Sequence, residues 1–374
     1  MTLRLLHVFP SFDAGGSSVR TVEIMNALGA GWSHRVVSMD GRTGAAALVR
    51  PSMPFDLHPP RDSKWTVRAF RELLHAAQPD LLLTYNWGAI EAVAASIWRG
   101  GPPCLHAEDG FGADEAARLK LRRVWARRLL LRRVYGVVLP STTLLDVART
   151  QYRLPEKKLI YLPNGVSTER FRPRRDNTLR DSLRDSLGLS PDQFVIGLVG
   201  RLRPEKNVGV AIQALARMDT PGAVLVVAGD GPCMDELQRL AASLHLSHRV
   251  RFLGAVQDPA PLYSAMDLFC LCSDTEQMPV ALLEAMASGL PCVTTNVGDC
   301  AAMLDRSCAP FIVPPRDPDA MARAFEQWSA NAESRHSEGV RLRARCDQLY
   351  GRRAMLQRYE ALYREAVASA RRRA

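Results

Sequence analysis

The chain has 374 residues, enough for two domains of ordinary size, and its 47% hydrophobic, 24% charged and 7% aromatic content describes a globular protein rather than a fibre or a disordered chain. With 49 basic against 39 acidic residues the formal charge is +10, which favours a polyanionic partner: nucleic acid, an acidic lipid surface or a phosphate-bearing substrate. Eight cysteines are too sparse for a disulfide scaffold, and all are expected to be reduced.

Met1 to Pro10 carries one arginine and a short apolar run with no small-residue cleavage site, so no secretory signal is expected there. Leu3 to Phe9 reads as a buried strand, Gly15 and Gly16 as a turn, and Val19 to Leu28 as a helix, which together make a βα unit. Val36 to Met39, Leu81 to Thr84, Val137 to Leu139 and Leu159 to Leu162 are further buried strands separated by segments of helical spacing. This alternation predicts a mostly parallel sheet. A polar, Arg/Asp-rich stretch from Thr168 to Ser190 interrupts the rhythm and is expected to connect two domains. The grammar then repeats. Phe194 to Val199 runs into Gly200, Ala223 to Ala228 into Gly229-Asp230-Gly231, Val250 to Leu253 into Gly254, and Leu268 to Cys272 and Cys292 to Thr294 into polar loops. Two doubly wound domains of this kind would hold a ligand at the carboxyl ends of their strands. Arg353 to Arg373 is helical by composition. No stretch of about 18 residues stays apolar, so no spanning helix is expected.

Three motifs point to chemistry. The most specific is Glu276-Gln277-Met278-Pro279-Val280-Ala281-Leu282-Leu283-Glu284, closed by Gly289-Leu290-Pro291. A helix starting near Pro279 would aim its free amides at an anion, with a carboxylate on each side; a structural salt-bridge role for the two glutamates is the alternative. The second is Gly200-Arg201-Leu202-Arg203-Pro204-Glu205-Lys206-Asn207. There Arg201 can grip phosphate oxygens as a fork and Lys206 can add a mobile charge, or both can be ordinary surface charges. The third, Gly15-Gly16, allows close backbone approach but lacks the dinucleotide-binding spacing G-x-G-x-x-G, which argues against a nicotinamide enzyme.

In this order, and with Pro163-Asn164-Gly165-Val166 between them, these segments resemble the retaining glycosyltransferases of glycosyltransferase family 4, over almost the whole chain. The resemblance implies a GT-B fold, α/β, with two facing Rossmann-like domains and an interdomain cleft. The expected divisions are an acceptor-side domain at 1–168, a nucleotide-sugar domain at 169–350, and a C-terminal helix at 351–374 packing back on the first domain. It further implies that Arg201 and Lys206 bind the donor diphosphate, Glu284 the ribose hydroxyls and Glu276 the hydroxyls of the transferred sugar. Backbone amides around Gln277, Met278 and Pro279 would complete the pocket. Gly16 would approach the phosphate, and backbone near Gly254 and Val256 would read the base, with Asp258 supporting that loop. Family members often carry glycine after the first glutamate, whereas this chain has Gln277, which adds a side chain beside the donor sugar.

His106 lies in Leu105-His106-Ala107-Glu108-Asp109-Gly110, after an expected short strand and at a polar turn. Read from its neighbours alone it is a hydrogen-bonded structural histidine; by the resemblance it sits beside the donor sugar and stabilises the transition state, with Asp109 preferred over Glu108 as its helper, and acceptor binding or capping of the following helix as the alternatives for either acid. The family implies retention by front-face attack; a covalent glycosyl-enzyme is the alternative. Metal-ligand spacing is absent, so no catalytic metal and no cofactor beyond the nucleotide diphosphate sugar are expected, with UDP as the default base and GDP open. The acceptor would be a glycan or a lipid-linked sugar, with a small-molecule glycoside or a noncatalytic sugar-nucleotide sensor as alternatives. Residues 118–133 alternate Arg118, Lys120, Arg122, Arg123, Arg127, Arg128, Arg132 and Arg133 with Leu, Val and Trp, a pattern for an anionic membrane surface or for a solvated helix over a packed Leu129 to Leu131. Without an aromatic single-strand platform or paired-cysteine finger, no nucleic-acid partner is expected. Cytoplasmic residence is expected, with peripheral attachment to the inner face of the cell membrane left open.

Overall fold

The computed structural model describes residues 2–61, 63–98, 100–111, 115, 119–173 and 177–372. The chain forms two units, Met1–Asn164 with Ala354–Ala374, and Gly165–Arg353.

In the first unit seven strands form one sheet: β1 (Leu3–Phe9), β2 (Trp32–Ser38), β3 (Phe55–Leu57), β4 (Leu81–Tyr85), β5 (Cys104–Ala107), β6 (Gly136–Leu139) and β7 (Leu159–Tyr161). Their order is β3-β2-β1-β4-β5-β6-β7, with every pair parallel. Parallel neighbours need long crossovers, and the crossover helices bury both faces of the sheet. Side chains alternate accordingly. Leu5, Phe9, Leu83 and Tyr85 join the cluster that includes Met355, Tyr359 and Tyr363 of the C-terminal helix Arg352–Arg371. Leu6, Val8, Leu82 and Cys104 join the opposite cluster, with Val124 and Leu131 of the basic segment.

The second unit repeats the plan with β8 (Phe194–Val199), β9 (Ala223–Ala228), β10 (Val250–Gly254), β11 (Leu268–Leu271), β12 (Cys292–Thr295) and β13 (Ile312–Val313), in the parallel order β10-β9-β8-β11-β12-β13. The order reverses direction at β8, so the loops after β8 and β11 leave to opposite sides and open a crevice at the carboxyl ends of those strands.

The doubly wound parallel α/β architecture expected from the sequence is present in both units. β1, β8 and β9 have their expected residues, whereas β2 starts four residues before Val36, at Trp32, because Trp32 is buried under the C-terminal helix. The short edge strands β3 and β13 give too few residues for a pattern to register. The polar stretch between Thr168 and Ser190 is not a plain connection. It includes the helix Asn177–Ser186, whose Arg184 is buried and donates to the carbonyls of Ala265, Pro191 and Gln193 and to Asp267. All eight cysteines are free. Among the described residues no helix is long and apolar enough to cross a membrane.

One polar line crosses the first core. His7 Nδ1 lies 3.0 Å from the Tyr85 hydroxyl and His7 Nε2 lies 3.0 Å from His34 Nδ1, both histidines being buried. Burial, then the neighbouring His34, holds His7 well below its ordinary value, and burial brings His34 to about 4. The unfolded chain therefore binds protons more readily than the folded one, so stability is complete above about pH 6.5 and falls as pH drops toward 4. Thermal melting between pH 7.5 and 4.5 is expected to show this loss, and a His7→Gln/His34→Gln variant, which cannot take up these protons, to show a shallower decline.

Candidate functional site

In the second unit the loops after β8 and β9 stack through glycine. A Cβ on Gly229 would lie 1.8 Å from the Gly200 carbonyl oxygen, and one on Gly231 would lie 2.3 Å from that of Leu202. This contact sets the path of Gly200–Asn207, and the Leu202 N–H donates to the Asp230 carbonyl at 3.0 Å. Along that loop Arg201 is exposed and makes no side-chain hydrogen bond or ion pair among the described residues. Lys206 Nζ contacts Glu276 Oε1 at 2.5 Å, and the same oxygen accepts from Ser273 Oγ at 2.7 Å. The two leading candidates of separate motifs therefore meet as an ion pair, Glu276 being 10% and Lys206 31% exposed.

Glu276 is carried by the loop after β11 into the helix Val280–Ala287, with Pro279 as its N-cap. Pro279 has no N–H, so it cannot supply the amide expected of it; its part is to start the helix, leaving first-turn amides beyond it to face outward. Met278 is buried in the core rather than facing a ligand with its side chain. Gly298 presses on the same loop. At its φ of +52°, a Cβ would lie 2.3 Å from the Glu276 carbonyl oxygen, and the next residue's N–H, from Asp299, donates to the Gln277 carbonyl at 2.9 Å. Further along the helix Glu284 is half-buried and accepts from the Tyr263 hydroxyl at 2.7 Å. Burial and then this carboxylate push the Tyr263 hydroxyl well above its ordinary value, so it stays a donor. Gly254, at φ +69°, accepts from the Gly229 N–H at 2.8 Å, and the half-buried Val256 follows it. Asp258 accepts from Arg170 and from the Ala260 N–H. Sequence reasoning missed Ser273, Gly298 and Tyr263, since none has a distinctive residue pattern of its own.

In the first unit Gly16 opens the helix Gly16–Leu28 and is exposed, with nothing within 4 Å of a Cβ placed there. His106 differs from expectation. It lies inside β5, not at the turn after it, paired in register with Thr84 and Val137. The twofold alternation of the strand sends it to the face beneath the basic helix Leu121–Leu130, where it is fully buried. Its Nδ1 meets Thr84 Oγ1 at 2.9 Å and its Nε2 lies 3.5 Å from Glu108 Oε2. Glu108, not Asp109, is the acid that faces it. Asp109 instead pairs with Arg20 Nη2 at 2.6 Å, while Arg20 Nη1 donates to Asn164 Oδ1 at 2.8 Å.

The basic segment is equally divided. Arg118 lies outside the described residues. Arg127 is buried, forking onto Glu108 at 2.7 and 3.0 Å, reaching Glu115 at 3.3 Å, and lying over the rings of Trp87 and Tyr152. Burial raises Glu108, but the opposing attractions of His106 and Arg127 carry it below its ordinary value, so the pair is ionised. The outer face shows Leu121, Trp125 and Leu129, 67%, 55% and 55% exposed, among Arg122, Arg128, Arg132 and Arg133. Leu131 packs inside, but Leu129 does not. Among the described residues, no group of three or more His, Cys, Asp or Glu side chains is placed to hold a metal.

Known proteins match this arrangement unit by unit. The family profile Glycosyltransferase Family 4 matches residues 14–170, and the profile Glycosyl transferases group 1 matches residues 180–343. The chain is 27% identical over 276 residues to the UDP-Gal:alpha-D-GlcNAc-diphosphoundecaprenol alpha-1,3-galactosyltransferase of Escherichia coli, covering 71% of this chain and 70% of that one. It is 34% identical over 184 residues to the GDP-mannose-dependent alpha-(1-6)-phosphatidylinositol monomannoside mannosyltransferase of Mycobacterium tuberculosis, spanning 46% of this chain and about half, 47%, of the relative. The crystal structure of Anabaena HepE in complex with UDP superposes with a TM-score of 0.83 at 19% identity, covering 97% of this chain and 100% of that one. The fold is thus GT-B, and the chain is related to nucleotide-sugar-dependent glycosyltransferases.

Removing one partner from a buried charge pair leaves the other uncompensated at a cost of about 3–5 kcal/mol. Arg127→Met is therefore expected to lower unfolding free energy by about that much in urea titrations, whereas Arg122→Ala, on the outer face of the same helix, is expected to leave it unchanged.

Proposed function

We propose that the protein is a glycosyltransferase that moves a hexose or N-acetylhexosamine from a nucleotide diphosphate sugar to a glycan or lipid-linked acceptor, with retention and without a metal. The observation that carries this reading is the Lys206–Glu276 pair at the reversal point of the second sheet, with the exposed Arg201 on the same loop as Lys206 and the helix Val280–Ala287 starting shortly after Glu276. Such a group has one charge of each sign held within reach of the other. A donor can replace both halves at once: its diphosphate takes Lys206 and Arg201, and its sugar hydroxyls take Glu276. Glu284, oriented by Tyr263, receives the ribose hydroxyls, and backbone at Gly254 and Val256 lies against the base. The amides that assist are those of Gln277, Met278 and the first helical turn, with the Gln277 side chain against the donor sugar.

In this reading the departing diphosphate is stabilised by fixed cations and amides, and it takes up the acceptor's proton during front-face attack. In the first unit Gly16 leaves open space at the start of its helix, while both carboxylate oxygens of Asp109 are buried against Arg20 at the end of β5. His106 supports that strand end from within the core. UDP is the preferred base, in keeping with the Escherichia coli relative; the mycobacterial relative keeps GDP in the comparison.

The same reading places the acceptor at a membrane surface in the cytoplasm. Leu121, Trp125 and Leu129 recur every four residues, so they form one stripe along the helix, and the surrounding arginines match the charge of an acidic bilayer. Arg127 is excluded from this role by its burial.

Calorimetric titration with UDP, GDP and ADP is expected to give selective binding, weakened roughly 10- to 100-fold by Arg201→Ala through loss of a charged contact. Absence of binding to every folded preparation would overturn the donor site. In flotation assays the protein is expected to rise with vesicles containing acidic lipid, less so in high salt, and a Leu121→Ser/Trp125→Ser/Leu129→Ser variant to stay at the bottom. Equal flotation of both proteins would reject the stripe as the docking surface.

A further inference from the structure

Asp274 lies two residues before Glu276 in the loop after β11, and four contacts converge on it. Its N–H donates to the Glu205 carbonyl at 2.8 Å, and its Oδ1 accepts from Asn207 Nδ2 at 2.8 Å. Its Oδ2 is held by Arg316 through Nε at 3.0 Å and Nη2 at 2.8 Å. The residues on either side of Lys206 are thus both tied to this one aspartate. Cys272 Sγ adds a contact to the Lys206 carbonyl at 3.3 Å.

Asn207 has a φ of +47°, the left-handed conformation that asparagine tolerates better than most residues, and it ends one short helix and begins the next. Its side chain is therefore directed by backbone geometry toward Asp274, and the turn that presents Lys206 cannot drift without breaking that bond. On the other side, Ser273 donates to Glu276 Oε1 while its own carbonyl accepts from Thr295 Oγ1 at 2.6 Å. Ser273 and Asp274 are consecutive, so one dipeptide fixes the position of the acid and of the turn carrying the base.

Arg316 comes from elsewhere, the turn between β13 and the helix Pro318–Ser329. It has a φ of +61° and is 74% exposed, so hydrophobic packing does not hold it; the bidentate grip on Asp274 is its contact with the site. An exposed fork is worth little to global stability. Its consequence is local: it leaves Asp274 one free direction fewer and opposes its protonation.

We propose that Asp274 is a positioning residue for the Lys206–Glu276 pair, and that Arg316 braces it. This rests on the donor-site reading above, and it adds that the pair opens by side-chain motion alone, on a backbone that Asp274 keeps in place. Burial pushes Asp274 up, but Arg316 and Asn207 outweigh it and hold the carboxyl below its ordinary value. Without Arg316 its proton would return at higher pH, so donor affinity would begin to fall at a higher pH than in the wild type.

The test has two arms on the full chain. Hydrogen–deuterium exchange of the free protein is expected to rise across 203–207 in Asp274→Ala, less in Asp274→Asn, which keeps an acceptor for Asn207. Calorimetry with UDP and GDP is expected to give a dissociation constant roughly tenfold higher or more for Asp274→Ala, a smaller rise for Asp274→Asn, and for Arg316→Ala a fall in affinity that sets in at higher pH. Arg316→Ala keeps the test open if Asp274→Ala fails to fold, since an exposed arginine is dispensable for folding. Unchanged exchange in folded Asp274→Ala, or an unshifted pH profile in Arg316→Ala, would overturn the proposal. Increased exchange together with no nucleotide binding by the wild type would instead overturn the donor reading and leave the positioning of Lys206 standing.

Discussion

The candidate donor site depends on bringing Lys206 against Glu276, two side chains that are 70 positions apart in the chain. Proximity of that kind cannot come from local structure. It follows from the parallel order of the second sheet, in which β8 and β11 are neighbours although β9 and β10 lie between them in sequence. A parallel pair puts both carboxyl ends on one edge of the sheet, so the loops after the two strands emerge side by side. The glycines at 229, 231 and 298 then let backbone come within distances that any side chain would block. The ion pair is the chemical expression of a topological fact.

A second theme is how many arginines work inside the protein. The formal charge of +10 invites a search for a polyanionic partner. Yet Arg20, Arg127 and Arg184 are buried, each with a carboxylate partner: Asp109, Glu108 and Asp267. A guanidinium has five donors in a plane and is only weakly hydrated, so it can be enclosed if acceptors surround it. Arg184 shows the completed form, with three carbonyls and an aspartate. These side chains join segments distant in sequence, and their charges are spent internally, so they contribute nothing to an outer field. Because each such pair removes one charge of each sign, the excess of +10 stays with the other residues, among them the arginines around Leu121, Trp125 and Leu129.

The repeating strand and helix pattern was legible because buried parallel strands are short apolar runs followed by turns, and Leu3–Phe9, Phe194–Val199 and Ala223–Ala228 are of that kind. The helix start near Pro279 was legible because proline at a first turn is a local signal within one loop and one helix. His106 was misplaced for a definable reason. Four residues, Cys104 to Ala107, are too few to reveal where a strand stops, and a shift of one position reverses the face to which every side chain points. The same parity decides that Glu108 rather than Asp109 turns toward it.

By itself the sequence determined the class of architecture, the number of sheets and the short motifs whose residues are neighbours in the chain, because periodicity and turn chemistry are local properties. Tertiary structure alone decided which charges are buried and which meet: Arg127 under the sheet rather than on a membrane face, Asp109 with Arg20 rather than His106, Asp274 between Asn207 and Arg316. Burial and pairing depend on which strands become neighbours and which face of each is covered. Those are properties of the assembled sheet, and no window of the chain contains them.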